Sequence, residues 1–510
     1  MSIADTVPCD KVDSLEEMTL SLSQFAKRAA EEGVGCHEFE REVLDRLLRV
    51  GHSVMSVFIS QQGDGDLGET VVTSDGAVVY RSEEPANHTL RTIFGVHEFT
   101  GFVYHQRKHP NTPILFRPLD AQMSLSPSQW SPLLEEFTQL FAVDQAFEMA
   151  AANFERIFRQ RLSVDTLERV NHQMGASAAV FLDSLQPPSA ATEGELLVLT
   201  ADGKGVPMVK ADADRLAACE ERATRPGNRR MATVASTYSV DRHHRTAEEV
   251  VAALFRDPKE FAAPGESRPE PCHKRVVARL PALVDSIDPE TPITGTLLAM
   301  SWAASEVAQR LQPGQELVCV MDGQPSLWDT LHVCLEEDHL AQAVEILDIV
   351  HVSGYVWKAA KLFHSDKKQQ TEFSRERLLK ILHGDVRAVI TNLRTLATRR
   401  GLTGAARKEI DTICSYFTTN CQRMRYQEYL ARGYPIASGV IEGACRHLVK
   451  DRMERSGMRW TQCHAQAMLD VRAVHQSSYW NQFQKERSDS ARQSYSKYLH
   501  LLPVPKTVVA

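Results

Sequence analysis

Two apolar runs limit what this chain can fold into more than any other feature of it. "ELLVLTADG" and "ELVCVMDG" each carry a stretch of apolar residues that closes on an aspartate and a glycine, Asp202-Gly203 and Asp322-Gly323. Such a run, bounded by a turn signal, reads as a strand buried on both faces inside an α/β sheet. A carboxylate at the C-terminal end of such a strand lies at the sheet edge, where sites form in α/β folds. Asp-Gly is also a common turn pair. One occurrence favours the turn; two, accompanied by a lone helical glutamate further on, weaken that reading.

The neighbouring segments fit an α/β sheet. "RRMATVASTYSVD" (229–241) reads as the next strand and "GTLLAMSWAASEVAQRLQ" (295–312) as a helix. "AVEILDIVHVSGYVWKAAKLF" reads as a strand reaching Asp348, then a helix. Strands alternating with helices predict an α/β fold. Residues 372–432 read as helical almost throughout, with Leu378, Leu379, Leu382, Val386, Val389, Ile390, Leu393 and Leu396 as the core stripe. "QPPSAATEGE" (186–195) is the expected domain boundary, and 261–273 a loop. Upstream, 37–60 has helical spacing, and "GETVVTSDGAVVYRS" reads as a hairpin around Ser-Asp-Gly within a small β module. Residues 144–175 have the layout of a helix-turn-helix. Ser163 caps its second helix, Leu167, Val170 and Met174 point inward, and Arg169, Asn171, His172 and Gln173 point outward toward base edges. Helix pairs of this kind are also common in plain bundles.

Composition narrows the class. A chain of 510 residues exceeds one core, so two to four domains are expected. Hydrophobic content of 43% and charged content of 24% are those of a soluble globular protein. No apolar run reaches the roughly 18 residues of a membrane span, and the acidic N-terminus has no signal-peptide core. Ten cysteines without a Cys-x-x-Cys indicate neither a zinc ribbon nor a disulfide framework, and fit a reducing interior. The net charge of −8 argues weakly against nucleic acid, but local patches set the field. Residues 420–460 hold eight Lys and Arg against four acids.

That basic stretch contains "SGVIEGACRHLVKDRMERSGMRW" (438–460), in which Glu442, Arg446 and Lys450 are spaced by four and share a face on a helix. Taken alone, this is an ordinary solvated ion-pair face. Together with Asp202 and Asp322, Glu442 completes three carboxylates from distant segments, a donor set for hard divalent cations such as Mg²⁺ or Mn²⁺. Two such ions can hold the attacking and leaving oxygens of a phosphoryl transfer.

"TADGKGVPM", "CVMDGQPSLW", "LDIVHVSGYVWKAAKLFH" and "YPIASGVIEGACRHLVKDRMERSGMRW", in this order, resemble a DDE transposase of the ISKra-type insertion-sequence family, with a ribonuclease H-like catalytic core. The resemblance covers about 190–480, and the N-terminal β module and helix-turn-helix fit the family layout loosely. Relatives often carry a cysteine-based ribbon near the N-terminus, which this chain lacks. The resemblance implies Asp202, Asp322 and Glu442 as catalytic, metal-holding acids, 120 residues apart in each step (322 − 202 and 442 − 322). It implies two Mg²⁺ or Mn²⁺ ions, and Asp348 and His351 as an Asp-x-x-His element that shapes the active site. Arg446, Lys450, Arg459 and Trp460 would contact DNA, with Arg169, Asn171 and Gln173 reading element ends. Partners would be terminal inverted repeats, target DNA and a second or further copy of the chain; the setting would be bacterial cytoplasm, at the nucleoid. An idle DNA-binding regulator and a nuclease that cuts without joining are the other readings.

The expected fold is therefore α/β: a ribonuclease H-like mixed sheet flanked by helices, with an α-helical insertion. Its parts are an N-terminal helical segment (1–66), a small β module (67–126) and the helix-turn-helix region (127–185). The catalytic core follows (190–366), then the helical insertion (367–432), the core's C-terminal part with the third acid (433–480), and a tail (481–510).

Overall fold

The computed structural model describes residues 15–107, 112–126, 128–217, 227–256, 268–283, 292–338, 340, 343–455 and 457–502. The polar N-terminal 1–14 and residues 261–267 of the expected loop lie outside them. The chain forms two compact units. One comprises the residues up to Val170 and those from Asn481 onward; the other is Asn171–Trp480.

The first unit opens with helices Leu15–Glu31 and Cys36–Ser60, joined by stacking of Phe25 on Phe39 at 5.3 Å. The hairpin forms as the Ser-Asp-Gly signal predicts: Thr70–Val72 pairs antiparallel with Val78–Arg81. Strands Tyr104–His105 and Ile114–Phe116 extend that sheet, and Ala86–Thr92 pairs with Gly95–Gly101. Helices Pro132–Ala142 and Phe147–Phe158 follow. Residues 481–502 of the expected tail are part of this unit. Tyr498 stacks on Phe116 at 4.1 Å, the Tyr495 hydroxyl donates to the Leu125 carbonyl, and Arg487 pairs with Glu135 at 2.7 Å. Tyr495, Tyr498, Leu501 and Leu502 carry that docking by packing against the core formed by Val71, Val79, Tyr104 and Phe116.

In the second unit five strands form one sheet: β1 (Leu196–Pro207), β2 (Arg229–Val240), β3 (Cys272–Arg279), β4 (Glu316–Met321) and β5 (Ala343–Leu347). Their spatial order is β5-β4-β1-β2-β3. β5, β4 and β1 run parallel, and β1, β2 and β3 are antiparallel. Helix α1 (Gly295–Arg310) leads into β4, and α2 (Pro325–Glu337) leaves it; α3 (Ile349–Phe363) follows β5. The expected helical region comprises α4 (Lys367–Leu382), α5 (Val386–Arg399), α6 (Gly404–Thr419) and the short helix Tyr426–Ala431. Helix α7 (Gly439–Ala444) runs into a π turn, Cys445–Lys450, and α8 (Gln462–Gln476) closes the unit.

Side chains alternate across the strands. Leu196, Val198, Val318, Val320 and Ile346 share one core with Val352 and Val356 of α3 and with Leu378, Val389 and Leu393 of α4 and α5. Helices α1 and α8 pack on β2 and β3. The apolar runs are continuous because both sheet faces are covered.

Three expectations change. Asp202 does not end its strand: β1 runs on to Pro207, and Asp202 pairs with Val234 of β2. The long antiparallel partner keeps supplying hydrogen bonds after the parallel pairing with β4 stops at Leu199↔Cys319. The expected boundary at 186–195 is not where the units divide, because that stretch is fastened into the second unit. Buried Arg275 donates to the carbonyls of Leu185 and Gln186, and buried Arg310 pairs with Glu193 at 2.9 Å. The division falls within helix Val164–Ser184 instead.

That helix also corrects the reading of Asn171. The Ser163 cap forms, its hydroxyl accepting from the Thr166 amide at 3.2 Å. Leu167, Val170 and Met174 are buried, but so is Asn171, whose amide lies 4.0 Å from the Met468 sulfur. Position 171 follows Leu167 by four and precedes Met174 by three, so helical geometry puts it on the inward stripe. Further along, a Cβ on Gly175 would lie 2.5 Å from the Ala467 Cα. Gly175→Val should therefore lower stability by at least about 1–3 kcal/mol, as overpacking against backbone does. A urea titration of the whole chain measures it; an unchanged midpoint would contradict the close packing.

Candidate active site

Asp348 is fully buried at the junction of β5 and α3, where its Oδ1 caps the helix by accepting from the Val350 amide at 2.8 Å. Its Oδ2 accepts from His351 Nδ1 at 2.9 Å and from the Ser438 hydroxyl. An ionised carboxylate only accepts, so the His351 proton sits on Nδ1 and the ring is held in one orientation. Ser438 directly precedes α7, the helix of Glu442. One buried side chain thus joins a strand end, a helix start and the segment carrying the third acid.

The other end of α7 is also held. The Cys445 thiol lies 3.6 Å from Asp202 Oδ2 and donates to it. Glu442 falls between these two anchors, four residues after one and three before the other. Asp202 Oδ1 accepts from the Gly203 amide at 2.7 Å. The β1–β4 register pairs Leu199 with Cys319; three residues further along the chain from each come Asp202, still in β1, and Asp322, just past the end of β4. Asp322 Oδ1 accepts from the Gln324 amide at 3.0 Å, and its carbonyl from the Trp328 indole at 2.7 Å. Next to it, the Gly323 amide donates to the Tyr416 hydroxyl at 3.1 Å. A Cβ on Gly323 would lie 2.4 Å from the Tyr416 ring, so only glycine lets α6 approach this closely.

These groups share one electrostatic environment. Burial raises the Asp322 carboxyl above its usual range; the Gln324 amide and His351 oppose this, and the charges of Asp202 and Asp348 add to it. Glu442 is the most exposed of the acids, yet its carboxyl is raised by the surrounding protein, then by Asp348 and Asp202, with His351 opposing. The hydrogen bond to Asp348, helped by the charges of Asp348, Asp322 and Asp202, pushes His351 up to about 9 against the cost of its burial. Burial and the Asp202 charge push the Cys445 thiol up, so it remains a donor. The site is crowded with negative charge, and protonated His351 is its resident counter-charge.

Among the described residues, the donor atoms within 4.8 Å of one another belong to Asp348, His351 and Glu442. Asp202 and Asp322 are coupled to this group by charge without joining that close cluster. Asp348 already has three donors and holds its neighbours, whereas Asp202, Asp322 and Glu442 retain acceptor capacity. Oxygen donors in surplus negative charge suit a hard divalent cation.

The basic neighbours are arranged differently from the expected α-helical face. The π turn breaks the spacing of four. Arg446 lies 3.7 Å from Asp451, five residues on, and Glu442 forms no ion pair among the described residues. Arg446, Lys450 and Arg459 are exposed. Trp460 is buried and bridges to Met208, exchanging backbone hydrogen bonds with Pro207 and Val209, so it closes the end of β1 and does not face DNA. Arg169 and Gln173 are exposed, in contrast to Asn171. Sequence reasoning missed Ser438, Cys445 and Tyr416. The first two flank Glu442 in "SGVIEGAC", but nothing in the sequence pairs them with Asp348 or Asp202.

Among the described residues the eight cysteines are free, and no helix is long and apolar enough to cross a membrane. No family model and no curated protein matches the chain.

The raised His351 makes stability depend on pH. Its stabilisation is fully present below the unfolded value near 6.5 and is lost as pH rises through about 9. The side chain is 38% exposed, so screening reduces the effect to on the order of 1 kcal/mol. The metal-free protein should lose about that much between pH 6.5 and 9.5, and Asp348→Asn should flatten the loss. Imidazole proton NMR should move His351 back toward 6.5 in that variant; an unmoved titration would dissociate the two residues.

Proposed function

We propose that the chain is a DDE-type DNA transposase with a ribonuclease H-like core, which cuts phosphodiester bonds at element ends and joins the freed 3′-hydroxyl to target DNA. One observation carries the reading: the charge of Asp202 on β1 raises both Asp322, just past β4, and Glu442 on α7, although the three acids are 120 residues apart at each step. Three parallel strands continued by two antiparallel ones, with helices on both faces, support a ribonuclease H-like core.

Asp202, Asp322 and Glu442 would hold Mg²⁺ or Mn²⁺, two ions in all. The donor set fits, because a divalent cation relieves the crowding that raises Asp322 and Glu442. When bound, the ions activate the attacking oxygen and stabilise the leaving one. The chain's own residues orient the rest. Asp348 fixes the His351 ring, and the charged His351 offers its remaining N–H to a phosphate oxygen. Ser438 and Cys445 hold Glu442 in line with the aspartates. Arg446, Lys450 and Arg459 take backbone phosphates, which give affinity without sequence. Arg169 and Gln173, exposed on the second helix of the helix-turn-helix, read the element ends. Pairing of two ends calls for a dimer or larger assembly on DNA, in bacterial cytoplasm at the nucleoid.

Asp202→Ala, Asp322→Ala and Glu442→Ala should each cut cleavage and strand transfer by on the order of 10²–10³-fold or more. End binding and thermal stability should persist. Gel assays with end-containing oligonucleotides measure this, in Mg²⁺ and in EDTA. Wild-type cleavage by any variant removes that residue from the set, cutting in EDTA removes the metal, and cutting without joining reduces the activity to a nuclease.

A further inference from the structure

Residues 386–408 contain six Arg and Lys and no Asp or Glu, in a chain whose net charge is −8. The segment is α5, its turn and the start of α6. Its apolar stripe, Val386, Val389, Ile390, Leu393 and Ala397, is buried, which fixes the outward face. Arg387, Thr391, Arg394 and Thr398 form a row along that face, at spacings of four, three and four. Arg407 continues the row by donating to the Thr398 hydroxyl at 3.1 Å. The threonines keep it low: Thr391 and Thr398 turn their hydroxyls onto the carbonyls of Arg387 and Arg394. From Arg387 to Thr398 the row rises about 17 Å, at about 1.5 Å per residue.

Several exposed cations of this unit meet acids: Lys380 pairs with Glu376, Arg425 with Glu428, Arg432 with Glu316 and, at the end of the row, Arg407 with Asp411. Here Arg387, Arg399 and Lys408 are exposed and have no ion pair among the described residues. Three exposed cations without acid partners on one well-packed segment repel one another, and a polyanion removes that cost.

The position of the face adds the second argument. Helix α6 begins at its basic end and carries Tyr416, which contacts the amide of Gly323 beside Asp322 and stacks on Tyr355 of α3 at 4.1 Å. Arg407 to Tyr416 is nine residues, about 14 Å of helix. That is about two phosphate steps along a strand at roughly 6–7 Å each, and duplex DNA presents a charge every ~1.7 Å of axis.

We infer that the outer face of α5 and the start of α6 bind the phosphate backbone of duplex DNA without regard to sequence, steering the duplex toward the carboxylate cluster. The inference rests on the transposase reading for the identity of the polyanion, and it assigns that reading a DNA surface apart from the residues around Glu442.

The test uses the full chain in EDTA, so that binding is read without cleavage. Fluorescence anisotropy with a random-sequence duplex, between 50 and 200 mM salt, compares wild type with the triple variant Arg387→Gln, Arg399→Gln, Lys408→Gln. These side chains hold nothing in the core, and circular dichroism checks the fold. Removing three phosphate contacts should lower the log–log salt slope by about 2.7, at about 0.9 for each, and weaken binding at least roughly tenfold at the higher salt. Arg387→Lys with Arg399→Lys should keep the wild-type slope. Wild-type affinity and slope in the triple variant overturn the inference. So does unchanged DNA binding combined with lost sedimentation on phosphatidylserine vesicles, which would make the face a membrane contact. A chain that fails to cut DNA but loses binding in the triple variant keeps the inference and refutes the transposase reading. A chain that cuts and shows no binding change does the reverse.

Discussion

The buried carboxylate of Asp348 is the joint on which the candidate site depends. It caps α3, fixes His351 and holds Ser438 at the start of α7, so three elements distant in sequence meet at one side chain. An ionised group at zero exposure is tolerable only when its oxygens are fully hydrogen-bonded. Here the bonds that satisfy it are also those that set the position of Glu442. Removing the charge leaves a buried Ser438 hydroxyl without its acceptor and frees the imidazole, so stability and site geometry are lost together.

The surrounding charges are arranged against their own comfort. Asp322 and Glu442 are held near other acids, and one imidazolium offsets them. A fold selected for stability alone would separate these groups or bury fewer of them. Perturbed ionisation in a cluster drawn from several segments marks these residues as a candidate functional site.

Much of this frame was legible in the sequence because buried strands and helices announce themselves by period and length. The runs closing on Asp202 and Asp322 became strands, the stripe from Leu378 to Leu396 joined the core beneath the sheet, and the Ser-Asp-Gly turn became a hairpin. What failed was information carried by partners. The continuation of β1 past Asp202 depends on the length of β2. Trp460 looks like a DNA-facing aromatic until the end of β1 lies beside it. Asn171 is polar, and polarity outweighed a helical phase that put it inside. The contacts of Ser438, Cys445 and Tyr416 join positions 90 to 243 residues apart in the chain and have no local signature.

The π turn at Cys445–Lys450 has a further consequence. A π turn closes its hydrogen bonds one residue later than an α turn, so what precedes it is rotated by roughly 100° relative to an uninterrupted helix. Leu448, Val449 and Met453 stay in the core while the direction of the helix that carries Glu442 is set by the backbone, and Ser438 and Cys445 fasten it. A direction set in this way cannot be reached by exchanging one side chain for another. It is gained or lost with a whole codon, and a lineage that acquired this aim would carry it as an insertion within an otherwise regular helix.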